Sequence, residues 1–341
     1  MAGTGVRISE QDLRRFVSDV FRAKGMRAED AETVADVLVW ADLRGVSSHG
    51  VSRIPSYLAA IERGRFVADA RPKLEPLAPA AFRLDCGYAA GAVSMMQAIA
   101  EAVALAGRTG IAVGLVRQTT HTGAVGRYAE WAASRGYAAI VIAVGMANMA
   151  YHGARVPTVA TSPIAIGVPG GERGPIVLDM ATAIAASGRV RQALAEGKPL
   201  PEGWALDDQG NPTTDAANAA IMLALGGPKG SGLSLMFEFL TAVLGANLDL
   251  KSRRQQNAMV IAIDVAKFRP VADFVADVRA LGDSIKSSPR LDGVDEILLP
   301  GERGGRTAAR QRKDGVPVSA KTWRELSAIA ASLGITLPPA R

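Results

Sequence analysis

One cysteine, three histidines and 5% aromatic residues are the scarcities of this 341-residue sequence. A single thiol, Cys86, rules out an intrachain disulfide and any metal site built from clustered cysteines. Its setting, Phe82-Arg83-Leu84-Asp85-Cys86-Gly87, reads as a strand entering a turn, so Cys86 is expected to be packed rather than nucleophilic. No apolar run approaches the roughly 20 residues that span a bilayer, and no membrane partner is expected. Met1 to Arg14 is polar and charged and lacks a signal-peptide core, which makes the cytoplasm the expected location. No serine sits in a nucleophile elbow, and no His-x-x-x-His or acidic cluster has metal-ligand spacing. The Gly-x-Gly-x-x-Gly dinucleotide fingerprint is missing after any strand. Gly226-Gly227-Pro228-Lys229-Gly230-Ser231-Gly232 does not have the Walker spacing.

What is present suits a large globular core, with 48% hydrophobic and 21% charged residues. The net charge of +6 fits anionic metabolites and dinucleotide phosphates as well as it fits nucleic acid. The basic residues are spread along the chain, apart from 251–254 and 303–313, so no nucleic-acid partner is expected. Ser9-Glu10-Gln11-Asp12 resembles a capping box, and Leu13, Phe16, Val17, Val20 and Phe21 then share one helical face. A second helix is predicted over 28–44. From Gly110 the pattern predicts a strand at 111–116, a helix at 127–134 and a strand at 138–144, together a strand–helix–strand unit. Further strands are predicted at 164–168, 176–178 and 259–263. A strongly apolar helix at 233–244 is expected to be buried, and a closing helix is expected at 320–333.

All three histidines, His49, His121 and His152, lie beside or near glycine. If a helix begins near His49, then His49 and Arg53 stand four residues apart on one face. A guanidinium can grip a carboxylate through two parallel hydrogen bonds while an imidazole exchanges a proton with the neighbouring oxygen. The spacing is met equally well by a histidine capping a turn and an arginine at the surface. His121 opens His121-Thr122-Gly123-Ala124-Val125-Gly126 between the predicted strand and helix, where free backbone N–H groups can face an anion. Lys229 faces a phosphate or carboxylate in one reading and sits in a flexible loop in the other. Asp179, after the strand at 176, is more commonly a helix N-cap than a ligand contact. His152 reads as structural.

Taken together, these motifs resemble the type-2 malate/L-lactate dehydrogenase family, which includes ureidoglycolate, sulfolactate and diketogulonate dehydrogenases and cyclic-imine carboxylate reductases. The resemblance covers nearly the whole chain. It rests on Ala41-Asp42-Leu43-Arg44-Gly45-Val46-Ser47-Ser48-His49-Gly50, His121-Thr122-Gly123-Ala124, Thr161-Ser162-Pro163 and Leu178-Asp179-Met180-Ala181-Thr182. It continues through Leu200-Pro201-Glu202-Gly203-Trp204-Ala205-Leu206-Asp207, Gly227-Pro228-Lys229-Gly230 and Pro300-Gly301-Glu302. It implies an α/β, non-Rossmann NAD(P)-binding fold with a mixed sheet and a helical lobe. Residues 1–75 and 290–341 would form the helical substrate and dimerisation lobe, and 76–289 the cofactor-binding lobe.

The implied activity is a NAD(P)-dependent interconversion of a small 2-hydroxy acid and its 2-oxo acid, with NAD or NADP as cofactor, a small anionic substrate and a homodimeric assembly. Ser48 and His49 would be the proton-delivery pair, Arg53 the carboxylate anchor and Thr161 a second substrate contact. His121 would start the nicotinamide-binding turn through Thr122, Gly123, Ala124 and Val125, and in some members the matching histidine is the proton acceptor. Asp179, Met180, Ala181, Lys229, Gly301, Glu302 and Arg303 would touch the cofactor. The chain departs from the pattern at Ser162, where the family often has asparagine, and at Arg189, where the imine reductases place an aspartate. The alternatives are a cyclic imine-2-carboxylate (piperideine or pyrroline) reductase and a non-catalytic basic binding protein on the same scaffold.

Overall fold

The computed structural model describes residues 5–185, 187–250 and 255–340; the predicted basic cluster at 251–254 lies outside them. Ser9 caps the helix Glu10–Ala23, its hydroxyl accepting the Asp12 N–H at 3.1 Å. The five residues on its predicted apolar face are all buried. The next helix, Ala28–Leu43, is buried well beyond a single stripe. The reason is its position, packed against Glu10–Ala23, Gly91–Thr109 and Glu302–Asp314, so that few sides meet water. Strands Val6–Ile8 and Val316–Val318 pair antiparallel and fasten the two ends of the chain together. The helix Ala320–Leu333 has the predicted bounds and packs on the first helix.

A seven-stranded sheet forms the centre, in the order Lys73–Ala78, Ala81–Asp85, Ile111–Thr119, Gln256–Asp264, Tyr137–Val144, Ile164–Val168, Ile176–Met180. Only Ala81–Asp85 and Ile111–Thr119 pair parallel; every other neighbouring pair is antiparallel. The sheet is therefore mixed, with one parallel pair among its six neighbouring pairs. The predicted strand–helix–strand unit is also altered. Its two strands do not pair with each other, because Gln256–Asp264 inserts between them, antiparallel to both. A partner more than a hundred residues away leaves no local signal.

Alternation along the central strands separates two faces. Ala258, Val260 and Ala262 point toward the helices Gly91–Thr109 and Gly126–Ala133 and join the main core. Leu115, Ile142 and Met259 point the other way, against Phe237. That second face is covered by the helix Pro228–Glu238 and the π-helical stretch Phe239–Val243. The apolar segment expected to be buried is therefore only half so. Phe237, Thr241 and Ala242 pack inward, while Leu233, Met236, Phe239, Leu240, Val243 and Leu244 are exposed. Helical periodicity gives such a segment two faces, and the sheet occupies only one. Cys86 is buried, and burial pushes its thiol up to about 12, as befits a packed side chain. No helix among the described residues is long and apolar enough to cross a membrane.

Candidate active site

A cleft of about 640 Å³ separates the helical part from the sheet, within the roughly 300–1,000 Å³ range of small-molecule sites. Its walls combine residues of 40–53 and 300–304 with residues of 121–125, 143–148, 160–163 and 177–188. The helix expected at His49 is instead two successive 3-10 turns, Ser47–His49 and Val51–Arg53, before the helix Ile54–Glu62. His49 and Arg53 are thus not one α-helical turn apart, yet both line the cleft. Asp42 shapes this bend. Its buried carboxylate accepts the Val51 N–H at 2.8 Å and lies where a β-carbon on Gly50 would have to go, so only glycine fits. Burial raises the Asp42 carboxyl to about 7, against the lowering effect of the Val51 N–H.

Within the bend the Ser48 hydroxyl lies 2.9 Å from His49 Nδ1, and Arg53 Nε donates to the Ser48 carbonyl at 2.6 Å. The His49 and His121 rings face each other with centroids 5.5 Å apart and planes 27° from parallel. On the far side of His121, the Tyr57 hydroxyl lies 2.7 Å from Nδ1, and the Gly123 N–H donates to the same nitrogen at 3.3 Å. Desolvation drives the His121 pKa well below its ordinary value, helped by the Arg53 charge and by the nearby His49 ring. His121 is therefore a neutral imidazole. The Arg53 guanidinium and two imidazoles share one cavity, a set of groups able to bind a small anion and exchange a proton with it.

The rest of the cleft can hold an elongated anionic ligand. Among the described residues, the backbone N–H groups of Thr122, Ala124 and Val125 in the turn after Ile111–Thr119 have no hydrogen-bond partner. Tyr128 fixes that turn by donating to the Thr122 carbonyl. Gly301, in a left-handed conformation, starts the helix Glu302–Asp314, and among the described residues the first-turn N–H groups of Arg303 and Gly304, both lining the same cavity, have no backbone partner. Two sets of donors at separate points of one groove fit the phosphates and amide of a nicotinamide dinucleotide. The exposed Arg303 adds a cation beside the second set. Among the described residues no group of three acidic, histidine or cysteine side chains has metal-binding geometry.

Most predicted site residues converge here: Ser48, His49, Arg53, His121 to Val125, Thr161, Asp179 to Ala181, Gly301 and Arg303. Asp179 does cap a helix, although not the one that follows it in sequence. Its carboxylate accepts Gly126 N–H at 2.9 Å, at the start of Gly126–Ala133. Desolvation raises its pKa, countered by that N–H and by Arg44. Two predicted contacts do not reach the cleft. Glu302 folds back to accept the Leu299 N–H and the Lys286 ammonium, so its carboxylate fastens the helix start. Lys229 is exposed in the first turn of Pro228–Glu238 and lines no part of the cavity; its neighbour Gly230 is the residue packed under Thr182.

Arg44 is also committed elsewhere, to Glu130 at 3.1 Å and the Gly301 carbonyl at 3.0 Å, which pins the segment around 301 to the second helix. Ser162 lines the cleft, and its hydroxyl is paired with that of Ser234 at 3.0 Å. His152 is exposed and outside the cleft. Sequence reasoning missed Tyr57, Asn148 and Trp40. Asn148 accepts the Thr161 N–H at 3.0 Å, and Trp40 donates to Glu130 at 2.5 Å. Tyr57 had a signal, one helical turn beyond Arg53, whereas Asn148 had none.

Residues 8–327 match the malate/L-lactate dehydrogenase family. The L-sulfolactate dehydrogenase of Methanocaldococcus jannaschii is 34% identical over 340 residues, covering 97% of this chain and 98% of that protein. The delta(1)-pyrroline-2-carboxylate reductase of Ancylobacter novellus is 31% identical, covering 95% of this chain and 97% of that protein. The crystal structure of malate dehydrogenase from Entamoeba histolytica superposes with a TM-score of 0.92 at 27% identity, covering 98% of this chain and 99% of that one. With its sequence matched from the first helix to the last and its fold shared end to end, the chain belongs to the malate/L-lactate dehydrogenase family of oxidoreductases.

Proposed function

We propose that this enzyme interconverts a small 2-hydroxy acid and its 2-oxo acid, using NAD or NADP bound along the cleft. The observation that carries the reading is the convergence of Arg53, His49 and His121 on one cavity beside two sets of free backbone donors. When bound, the nicotinamide supplies or takes up the hydride. Arg53 grips the substrate carboxylate, and Thr161 lines the same pocket. The pair of Ser48 and His49 exchanges the proton of the C2 oxygen, and neutral His121 donates a hydrogen bond to that oxygen. The unpartnered N–H groups of the 122–125 turn and of the helix start at 303–304 hold the dinucleotide, with Asp179 to Ala181 between them.

In this reading segments 1–75 and 290–341 form the substrate lobe and 76–289 the cofactor lobe, because the cleft draws one wall from each, whereas the exposed apolar residues at 233–243 favour a dimer contact on the cofactor lobe rather than on the helical lobe expected from the sequence. The single parallel pair in the sheet and the absence of the glycine fingerprint support a non-Rossmann cofactor site. A second copy of the chain covers the exposed apolar stripe on Pro228–Val243. Leu233, Met236, Leu240 and Val243 recur there at helical spacing, and such a surface is rarely left to water. Leu240→Arg should turn a dimer into a monomer in analytical ultracentrifugation; a monomeric parent refutes this assignment. The function itself is tested by following nicotinamide oxidation with a panel of 2-oxo acids and cyclic imine carboxylates, with NADH and NADPH in parallel. Turnover of cyclic imines alone would favour the reductase reading, against which stands Arg189, exposed on the helix Ser187–Glu196 that begins beside Ser48. Cofactor binding without turnover of any substrate would indicate a binding protein.

A further inference from the structure

We propose that Tyr57 is a positioning residue that holds the His121 imidazole in one tautomer, protonated on Nε2, so that the ring presents an N–H to the cleft. The inference rests on the reading of this cavity as the substrate site, and it deepens that reading by assigning different work to the two histidines. Tyr57 lies on the helix Ile54–Glu62 with its ring wedged between Phe21 and Phe66, at centroid distances of 6.3 and 6.1 Å. That packing fixes the hydroxyl in place, 2.7 Å from His121 Nδ1 and 3.4 Å from the His121 carbonyl oxygen.

A phenol can donate or accept, but the second partner of Nδ1 cannot. The Gly123 N–H, 3.3 Å away, is only a donor, so it biases Nδ1 toward supplying the lone pair, and the shorter Tyr57 bond at 2.7 Å holds it in that state. The single Tyr57 proton then goes to Nδ1 at 2.7 Å in preference to the His121 carbonyl oxygen at 3.4 Å. Burial raises the Tyr57 pKa, with Arg53 opposing, and the phenol keeps the proton it donates. A neutral imidazole carries one proton; with Nδ1 accepting, that proton is on Nε2. Among the described residues Nε2 has no hydrogen-bond partner, and His121 lines the cleft.

The titratable groups bearing on the ring are Tyr57 from the helix and Arg53 and His49 from the two 3-10 turns. The Arg53 charge disfavours a charged His121, and both donors at Nδ1 favour the neutral ring. His121 therefore acts as a fixed hydrogen-bond donor to the substrate oxygen, and proton exchange falls to Ser48 and His49. A residue that served only to fill space could be phenylalanine with no consequence.

The test uses the full chain labelled with ¹⁵N-histidine. With three histidines in the sequence, His49→Gln and His152→Gln assign the spectrum. In the parent, His121 should show the Nε2–H tautomer and no titration from about pH 5 to 8. In Tyr57→Phe, which keeps the ring and removes the hydroxyl, the Nδ1–H tautomer should appear or the His121 titration midpoint should rise. For reduction of a 2-oxo acid, kcat should fall about tenfold, as for one lost neutral hydrogen bond, with cofactor affinity unchanged. A parent His121 that carries its proton on Nδ1, or that titrates near its ordinary value, overturns the proposal even if the variant does not fold. So does a folded Tyr57→Phe with the parent's His121 shifts and pH profile. The spectra need no substrate, so an enzyme inactive on every 2-oxo acid would refute the function while leaving this tautomer assignment standing.

Discussion

Replacing Arg53 separates a carboxylate anchor from a surface charge. Arg53 lines the cleft and its Nε donates to the Ser48 carbonyl at 2.6 Å, so the side chain both faces the ligand space and braces the bend that carries His49. A hydrogen bond to a charged group contributes roughly 1.5–3 kcal/mol. At 1.4 kcal/mol per factor of ten, loss of one such bond to the substrate carboxylate lowers kcat/KM by roughly ten- to a hundredfold. Arg53→Met removes the charge, the fork and the brace, so the loss should exceed that range for 2-oxo acids. An uncharged ketone, which never used the charge, should lose only the part due to the loosened bend. Arg53→Lys keeps the charge but neither the planar fork nor the Nε donor, and should fall between the two. The assay is steady-state reduction of a 2-oxo acid and its ketone analogue by each variant, with thermal melting as the control for folding. If Arg53→Met reduces the 2-oxo acid with the parent's kcat/KM, the carboxylate is held elsewhere; Arg44, paired with Glu130, is a poor substitute.

The two histidines should not be equivalent. His49→Ala should lose about 10²–10⁴ in kcat while still binding cofactor, as measured by stopped-flow and fluorescence titration. His121→Ala should also weaken the cofactor, because the Gly123 N–H loses its acceptor; equal, small effects would remove both from the mechanism. In Gly126→Ala the new β-carbon would lie 2.7 Å from the Asp179 carboxylate. The variant should lose about 1–3 kcal/mol of stability and bind cofactor less well, and an unchanged melting temperature would contradict the packing. Asp42 predicts a pH effect. Its folded pKa of about 7 lies above the ordinary 3.8, so the folded chain keeps a proton that the unfolded chain releases. Its contribution is therefore full below about pH 4 and is lost as the pH rises toward 7. Asp42→Asn keeps an acceptor for the Val51 N–H and should remove that decline; identical pH–stability curves for parent and variant would refute it.

Local periodicity made the helices and most of the central strands legible, because each such element carries its apolar face in its own sequence. Ser9 and Asp12 marked the first helix start, and Ala320–Leu333 was readable to the residue. The sheet order was not, since the insertion of Gln256–Asp264 between two earlier strands depends on a pairing partner distant in sequence. In the site, the His49 and His121 motifs could be found from residue type and glycine context. The bend between His49 and Arg53 could not, because it depends on the Asp42 carboxylate filling the space over Gly50. Glu302 and Lys229 were assigned to the ligand on motif alone. The structure gives Glu302 to the Leu299 N–H and Lys286, and leaves Lys229 in solvent outside the cavity. Motif membership does not say which way a side chain turns.

The most direct test of the account is transfer of deuterium from C4 of deuterated NADH or NADPH to a panel of 2-oxo acids, with product analysed by mass spectrometry and NMR. The account predicts a single deuterium at C2 of a 2-hydroxy acid, delivered to one face, with transfer suppressed in His49→Ala and Arg53→Met. Cofactor that binds but delivers no deuterium to any 2-oxo acid, or product formed at the parent's rate by both variants, would contradict it.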